Sequence, residues 1–112
     1  MYFKIYFLYL FFHFFFAKAI FAPTNGAFSR LDQTTMDNLD FDVLLAHHAA
    51  QNAFPFSELK KNKKLNTYMP GHKIIVDVRE TIKYVNDAEI VASYEAENGW
   101  IHSIKNVMPL PG

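Results

Sequence analysis

The sequence predicts an α+β fold in which one N-terminal helix packs on a three-stranded antiparallel meander, preceded by a cleavable signal segment. Three patterns predict it: an apolar N-terminal run, apolar residues at helical spacing in mid-chain, and alternation of apolar and polar residues towards the C-terminus. The 112 residues suffice for one compact domain. We therefore expect residues 1–19 to be a signal peptide, 20–35 a flexible lead-in, and 36–112 a single small α+β domain.

The N-terminal segment is expected to direct export. The run from Ile5 to Ala17 is almost entirely apolar and is flanked by Lys4 and Lys18. Its length is typical of a signal peptide, whereas a membrane-spanning helix needs about 20 apolar residues. Small residues favour cleavage after Ala19, with a second candidate site after Ala22. An uncleaved membrane anchor and a buried helix of a soluble protein stay open as alternatives.

Charge and cysteine content narrow the function classes. The formal net charge is zero, and without Lys4 and Lys18 the chain has nine basic against 11 acidic residues. We expect no nucleic-acid partner, because such partners usually require a basic surface. The sequence has no cysteine, so a small exported domain would depend on its apolar core rather than on disulfides. The predicted location is secreted or periplasmic, with membrane contact only through an uncleaved N-terminal segment.

The predicted helix spans residues 36–53 and ends at Phe54-Pro55. Thr34 and Asp37 offer side chains that could cap its first turn. The residues that recur at helical spacing are Phe41, Leu44, Leu45, His48, Ala49 and Ala53.

The predicted meander begins with a long strand from His72 to Val85, whose alternate residues form one apolar and one polar face. We expect this strand to be bent or bulged. Residues 89–96 and 100–107 form the second and third strands. A helix on such a sheet is similar in element order to cystatin-like folds, but the Gln-x-Val-x-Gly pattern of cystatins is absent and no inhibitory site is implied.

Three-residue loops are expected at both turns of the meander, because they gather the apolar side chains on one face. This register pairs Tyr94 with His102 across one turn and Glu80 with Tyr94 across the other. A carboxylate, a phenol and an imidazole would then lie side by side, as a weak candidate site for proton transfer. The alternative is that the three groups are hydrogen-bonded within the core and only fix the register.

Other candidate sites are weaker still. Trp100 follows a glycine turn and is predicted to be a core residue or, alternatively, a contact for a partner. His47 and His48 are adjacent on the predicted helix and point about 100° apart, so they do not form a chelating pair. No metal, no cofactor and no nucleophile motif is expected.

The predicted function is that of a small exported non-enzymatic domain that binds a protein partner or a small ligand, as an inhibitor, effector or accessory protein. One alternative is a secreted peptide precursor cut at Lys60-Lys61 or Lys63-Lys64. Another is a small hydrolase-like enzyme that uses Glu80 and His102. A membrane-anchored accessory subunit is the remaining alternative.

Overall fold

The computed structural model describes residues 18–97 and 99–109. These residues form one curved seven-stranded sheet with the strand order β2-β1-β7-β6-β5-β4-β3. The strands are β1 (Lys18–Pro23), β2 (Ala49–Ala50), β3 (Lys64–Asn66), β4 (Lys73–Arg79), β5 (Ile82–Val85), β6 (Ala88–Ala96) and β7 (Gly99–Ile104). The helices are short: α1 (Asn25–Ser29), α2 (Gln33–Asp37), α3 (Phe41–His47) and a 3₁₀ turn (Phe56–Glu58). The predicted α+β fold of one helix on three strands is therefore wrong, because the structure is mostly β and its sheet is nearly barrel-shaped.

Strand β1 lies inside the sheet, between the short β2 and the C-terminal β7. It pairs antiparallel with β2 and parallel with β7, where Lys18 lies opposite Gly99. Ala19, Ile20 and Phe21 are fully buried. The predicted flexible lead-in at residues 20–35 is instead ordered. Its first residues belong to β1, whose backbone N–H and C=O groups pair with strands on both sides. Residues 1–17, which hold most of the predicted signal peptide, lie outside the described residues.

The region of the predicted helix 36–53 contains the end of α2, then α3, then a strand. Asp40 interrupts the helix because its side chain accepts hydrogen bonds from the backbone N–H groups of Asp42 and Val43, as an N-cap does. After α3, Ala49 and Ala50 pair with β1. Tertiary pairing with β1 thus overrides the helical spacing of these residues.

The predicted long strand 72–85 is a hairpin formed by β4 and β5. Arg79 pairs with Ile82, which leaves Glu80 and Thr81 as a two-residue turn. Glu80 has φ of 60°, in the left-handed region that such turns require.

Both predicted three-residue loops are two-residue loops in the structure. Val85 pairs with Ala88, and the loop residues Asn86 and Asp87 have φ of 45° and 67°, as a type I′ turn requires. Ala96 pairs with Gly99 at the other turn. The predicted registers are wrong by one residue at each turn, and such a slip moves every side chain to the other face.

Two apolar clusters lie on opposite faces of the sheet, since neighbouring residues of β1 contribute to different clusters. Ala19 and Phe21 belong to the larger cluster, with Leu65, Ile74 and Ile104 among its other members. Ile20 and Ala22 belong to the second cluster, which the short helices cover with Phe28 and Leu44. The helices therefore cover one face of the sheet.

His48 ties α3 to the C-terminal segment inside the protein. Its Nδ1–H donates to the carbonyl oxygen of Leu44 at 2.9 Å, and its Nε2 accepts from the backbone N–H of Met108 at 2.9 Å. This pairing requires the neutral ring. Burial lowers the pKa of His48 to about 3.

The buried histidines predict that acid destabilises the fold. An unfolded histidine titrates near pH 6.5, so between about pH 6.5 and 3 the unfolded chain binds the proton that folded His48 does not. Stability is therefore full above about pH 6.5 and falls below it, by up to about 1.4 kcal/mol per pH unit from this residue. Burial also lowers the pKa of His47 and of His102, which adds to the effect in the same direction. Urea unfolding at pH 7, 5.5 and 4 measures the slope.

A His48→Gln variant is the control for this prediction, because an amide can donate to Leu44 and accept from Met108 without titrating. We expect it to be less stable than the parent at pH 7 and to show a shallower pH dependence. An unchanged slope would show that other groups cause the acid lability.

Candidate binding groove

A groove of about 390 Å³ opens beside the free part of β6, between this strand and the 3₁₀ turn. One wall of the groove is formed by β6, which continues beyond the point where its pairing with β5 ends. The groove is lined by Phe56, Ile90, Val91, Ala92, Ser93 and Trp100. It combines apolar walls with one hydroxyl group, as small-molecule and peptide sites commonly do.

A buried histidine lies beneath this groove. His102 pairs with Ser93 across the β6–β7 ladder, and the Ser93 hydroxyl lies 2.7 Å from His102 Nδ1. On the other side of the ring, Nε2 lies 2.7 Å from the carbonyl oxygen of Phe54. Because a carbonyl only accepts, Nε2 carries the proton, Nδ1 is the acceptor and the Ser93 hydroxyl donates to it.

Aromatic side chains enclose the His102 ring. Phe21 stacks on it with centroids 5.2 Å apart, and Trp100 stacks at 6.0 Å with the planes 9° apart. Burial lowers the pKa of His102, opposed by its hydrogen bond to Phe54 and aided by the nearby positive charge of Lys83. The ring is therefore neutral, which agrees with the direction of both hydrogen bonds.

The Ser93–His102 pair resembles the start of a nucleophilic dyad but differs from one chemically. A catalytic histidine needs a partner that stabilises the imidazolium, and the base must be strong enough to take the hydroxyl proton. Here Nε2 donates to a backbone carbonyl, and burial beside a lysine weakens the base. The pair is suited to fixing Ser93 and the groove floor in one geometry.

The structure separates the three residues predicted to form a proton-transfer row. Glu80 is exposed at the tip of the β4–β5 hairpin. Tyr94 pairs with Ile101 and is 55% exposed, on the face opposite Ser93 and His102. His102 alone is buried at the groove, because the one-residue shifts in register carry its predicted partners away.

Trp100 is half-buried and lines the groove, so it belongs to both the core and an accessible surface. It pairs with Glu95 on β6 and with Ala19 on β1, and not with Ala96 as the predicted register required.

Sequence reasoning missed Ser93, Phe54 and Phe56. Ser93 meets His102 only in the observed register. The chain before the 3₁₀ turn brings the Phe54 carbonyl to His102, and the turn itself brings Phe56 to the groove, from more than 30 residues away. The two-residue turn at Asn86-Asp87 was a usable signal, since both residue types tolerate the left-handed conformation.

A second histidine cluster lies at the end of α3. The ring of His47 is centred 5.5 Å from that of His48 and 5.3 Å from that of His72. His47 is buried. Within residues 18–97 and 99–109, no group of three histidine or acidic side chains is placed to hold a metal ion.

In the part of the chain that the structure describes, no helix has the length and apolar content to cross a bilayer.

A curved seven-stranded sheet with an apolar groove at one strand defines a small β-rich domain. The family model "Fasciclin domain" matches residues 19–111. The chain therefore belongs to the fasciclin family, whose domain is a non-catalytic type implicated in cell adhesion and protein interaction.

One curated protein and one solved structure are similar to this chain. The chain is 30% identical over 94 residues to an uncharacterised protein of Synechocystis, covering 80% of this chain and 70% of that protein. It superposes with a TM-score of 0.68 and 19% identity on a FAS1 domain pair from the insect cell adhesion molecule fasciclin I. That match covers 85% of this chain and spans 38% of the solved chain, and it shows the fold alone.

Proposed function

We propose that this chain is an exported fasciclin-type domain that acts by binding another protein through the surface around the Trp100 groove. The observation that carries the proposal is that the groove is lined by an exposed apolar side chain. Val91 lines the groove and is 49% exposed. Exposed apolar groups beside a concave site are typical of protein contacts.

The hydrolase-like alternative requires the Glu80 carboxyl group near His102, and the structure does not place it there. Glu80 lies at a hairpin tip, and His102 is held by Ser93 and by the carbonyl oxygen of Phe54. The geometry therefore favours binding over catalysis.

The peptide-precursor alternative is also disfavoured by the position of the lysine pairs. The Lys60-Lys61 and Lys63-Lys64 pairs lie in the turn before β3 and at the start of that strand. The turn is anchored to the sheet, because the Asn62 N–H donates to Val76 and the Val76 N–H donates to Lys63. Strands β3 to β7 begin at or after this turn, so cleavage there would divide the sheet.

Export is proposed from the apolar segment that ends at Ala17, and the fold constrains how this leader is processed. Cleavage after Ala19 would remove two residues of β1, and cleavage after Ala22 would remove five of its six residues. We propose that the leader is retained or is cut before Lys18. Intact mass of the natural protein tests this proposal, since a folded product beginning at Ile20 or Pro23 contradicts it.

Site-specific photo-crosslinking in the native cells tests the binding surface. A benzoylphenylalanine at Val91, which lines the groove, is expected to give one discrete protein adduct. The same group at Thr34, exposed on α2, is the matched control and is expected to give none. Equal adducts from both positions, or none from Val91 in correctly located protein, would contradict the proposal.

A further inference from the structure

Strand β6 has an unpaired edge within the part of the chain that the structure describes. It pairs with β5 only at Glu89 and Ala88, but with β7 it continues through to Ala96. Residues 91–96, about 20 Å of strand, thus have no strand neighbour on the β5 side among the described residues. Such an edge presents backbone N–H and C=O groups ready for another strand.

This edge has little of the usual protection against pairing. A register shift between Ile90 and Ala92 and the single charge of Glu95 are the protective features it has. Against these, Val91 and Tyr94 expose large apolar side chains along it. The groove beside the edge supplies a pocket for a side chain of an added strand, which is the combination used in strand addition.

A lysine ammonium group lies beside the groove. The Nζ atom of Lys83 lies 4.3 Å from the centre of the ring of Phe56, which lines the groove, and donates to the Phe56 carbonyl oxygen. The Nζ atom of Lys63 lies 4.4 Å from the centre of the neighbouring Phe54 ring. Burial and the charge of nearby Lys60 lower the pKa of Lys83. A partner carboxylate beside Lys83 would complement this positive charge.

We propose that the free edge of β6 receives an extended acidic segment of a partner protein as an added strand, with one apolar side chain in the Trp100 groove and a carboxylate facing Lys83. This inference rests on the proposed binding function and specifies the chemistry of its partner. Backbone hydrogen bonds between β6 and the added strand supply affinity. The groove selects an apolar residue of that strand, and the lysines select acidic residues two positions away from it.

Trp100 is the only tryptophan of the chain, so its fluorescence reports directly on the groove. The probe is the capped peptide acetyl-Thr-Asp-Thr-Phe-Thr-Asp-Thr-amide, which places Phe and both Asp on one face of a strand. Titration of the purified full chain is expected to give a saturable change in Trp100 emission. The absence of a saturable change would overturn the proposal.

Two altered peptides distinguish the contribution of backbone hydrogen bonds to binding from that of the Asp charges. Methylation of alternate backbone nitrogens on the pairing edge is expected to weaken binding at least tenfold, because it removes several ladder hydrogen bonds. Replacing both Asp by Asn is expected to weaken binding severalfold. Equal binding of the methylated peptide overturns strand addition, and equal binding of the Asn peptide overturns the acidic preference.

Protein variants complete the test without disturbing β6. Lys83→Met is expected to weaken binding of the acidic peptide more than binding of the Asn peptide, since Lys83 also donates to the carbonyl oxygen of Phe56 in the groove wall. Lys105→Met, at an exposed lysine just after β7, is expected to leave binding of both peptides unchanged. Equal effects of the two variants on the acidic peptide overturn the role of Lys83. A concentration-dependent dimer in sedimentation that Val91→Lys abolishes would assign the edge to a second copy of the chain and overturn the proposal.

The two proposals fail independently. A discrete Val91 adduct in cells with no peptide binding in the titration removes only the strand-addition inference. Peptide binding without any adduct at Val91 removes the proposed cellular function and leaves the edge as a peptide site.

Discussion

A Gly99→Ala variant is expected to lose about 3–5 kcal/mol of folding free energy, a large part of the 5–15 kcal/mol typical of a domain. Gly99 has φ of 142°, and a Cβ built there would lie 1.8 Å from the carbonyl oxygen of Lys18 and 2.8 Å from its backbone nitrogen. These backbone atoms cannot move aside without parting β1 from β7, where Lys18 pairs with Gly99. Guanidinium unfolding followed by circular dichroism measures the loss.

Two other glycines are matched controls for this variant. Gly71 has φ of 80° with nothing within 4 Å of its built Cβ, so Gly71→Ala isolates the backbone strain and is expected to cost about 1–2 kcal/mol. Gly26 has no positive φ and nearest contacts of 3.8 Å, so Gly26→Ala is expected to change stability little. If Gly99→Ala costs no more than Gly71→Ala, the close approach of β1 is not what requires the glycine.

Removal of residues 1–22 is expected to abolish folding, whereas removal of residues 1–17 is expected to preserve it. The longer deletion takes most of β1, which fills the space between β2 and β7. Burial of Ile20 and Phe21 contributes about 1.5–3 kcal/mol each, and the ladder bonds on both sides add about 1 kcal/mol apiece. The sum reaches the whole stability of an ordinary small domain.

Near-ultraviolet circular dichroism and hydrogen exchange distinguish the two deletion proteins. The chain beginning at Lys18 should show a fixed aromatic signal and protected amides, and the chain beginning at Pro23 should show neither. A chain beginning at Ile20 is expected to be folded but weakened, because it keeps four residues of β1. Cooperative unfolding of the Pro23 chain would mean that β1 is dispensable.

Local patterns located the C-terminal strands but not the sheet. Residues predicted as two strands became β6 and β7, and alternation from His72 correctly marked extended chain. The turn at Glu80 was not predicted, because apolar and polar residues alternate in the same way in the sequences of β4 and β5 on either side of it. Strand β1 was missed because its apolar residues continue the N-terminal run, and its partners lie far away in the sequence.

The candidate site was missed for a related reason. Choosing loops by the apolar face they create gave a register one residue away from the observed one at both turns, and the choice ignored β1, which Gly99 contacts. One residue decides whether Ser93 or Tyr94 meets His102. The chemistry of a site on a sheet therefore depends on information that a single strand pair does not contain. The predicted non-enzymatic binding domain agrees with the fasciclin family in general terms, without a particular partner.

The parallel pairing of β1 with β7 gives this domain a long-range order of assembly. The first described strand acquires its long neighbour only after residue 99 has been synthesised, because Lys18 pairs with Gly99. Folds dominated by such distant contacts form slowly, since the loop must close before the contact stabilises it. We expect the sheet to stay incomplete until β7 has left the ribosome.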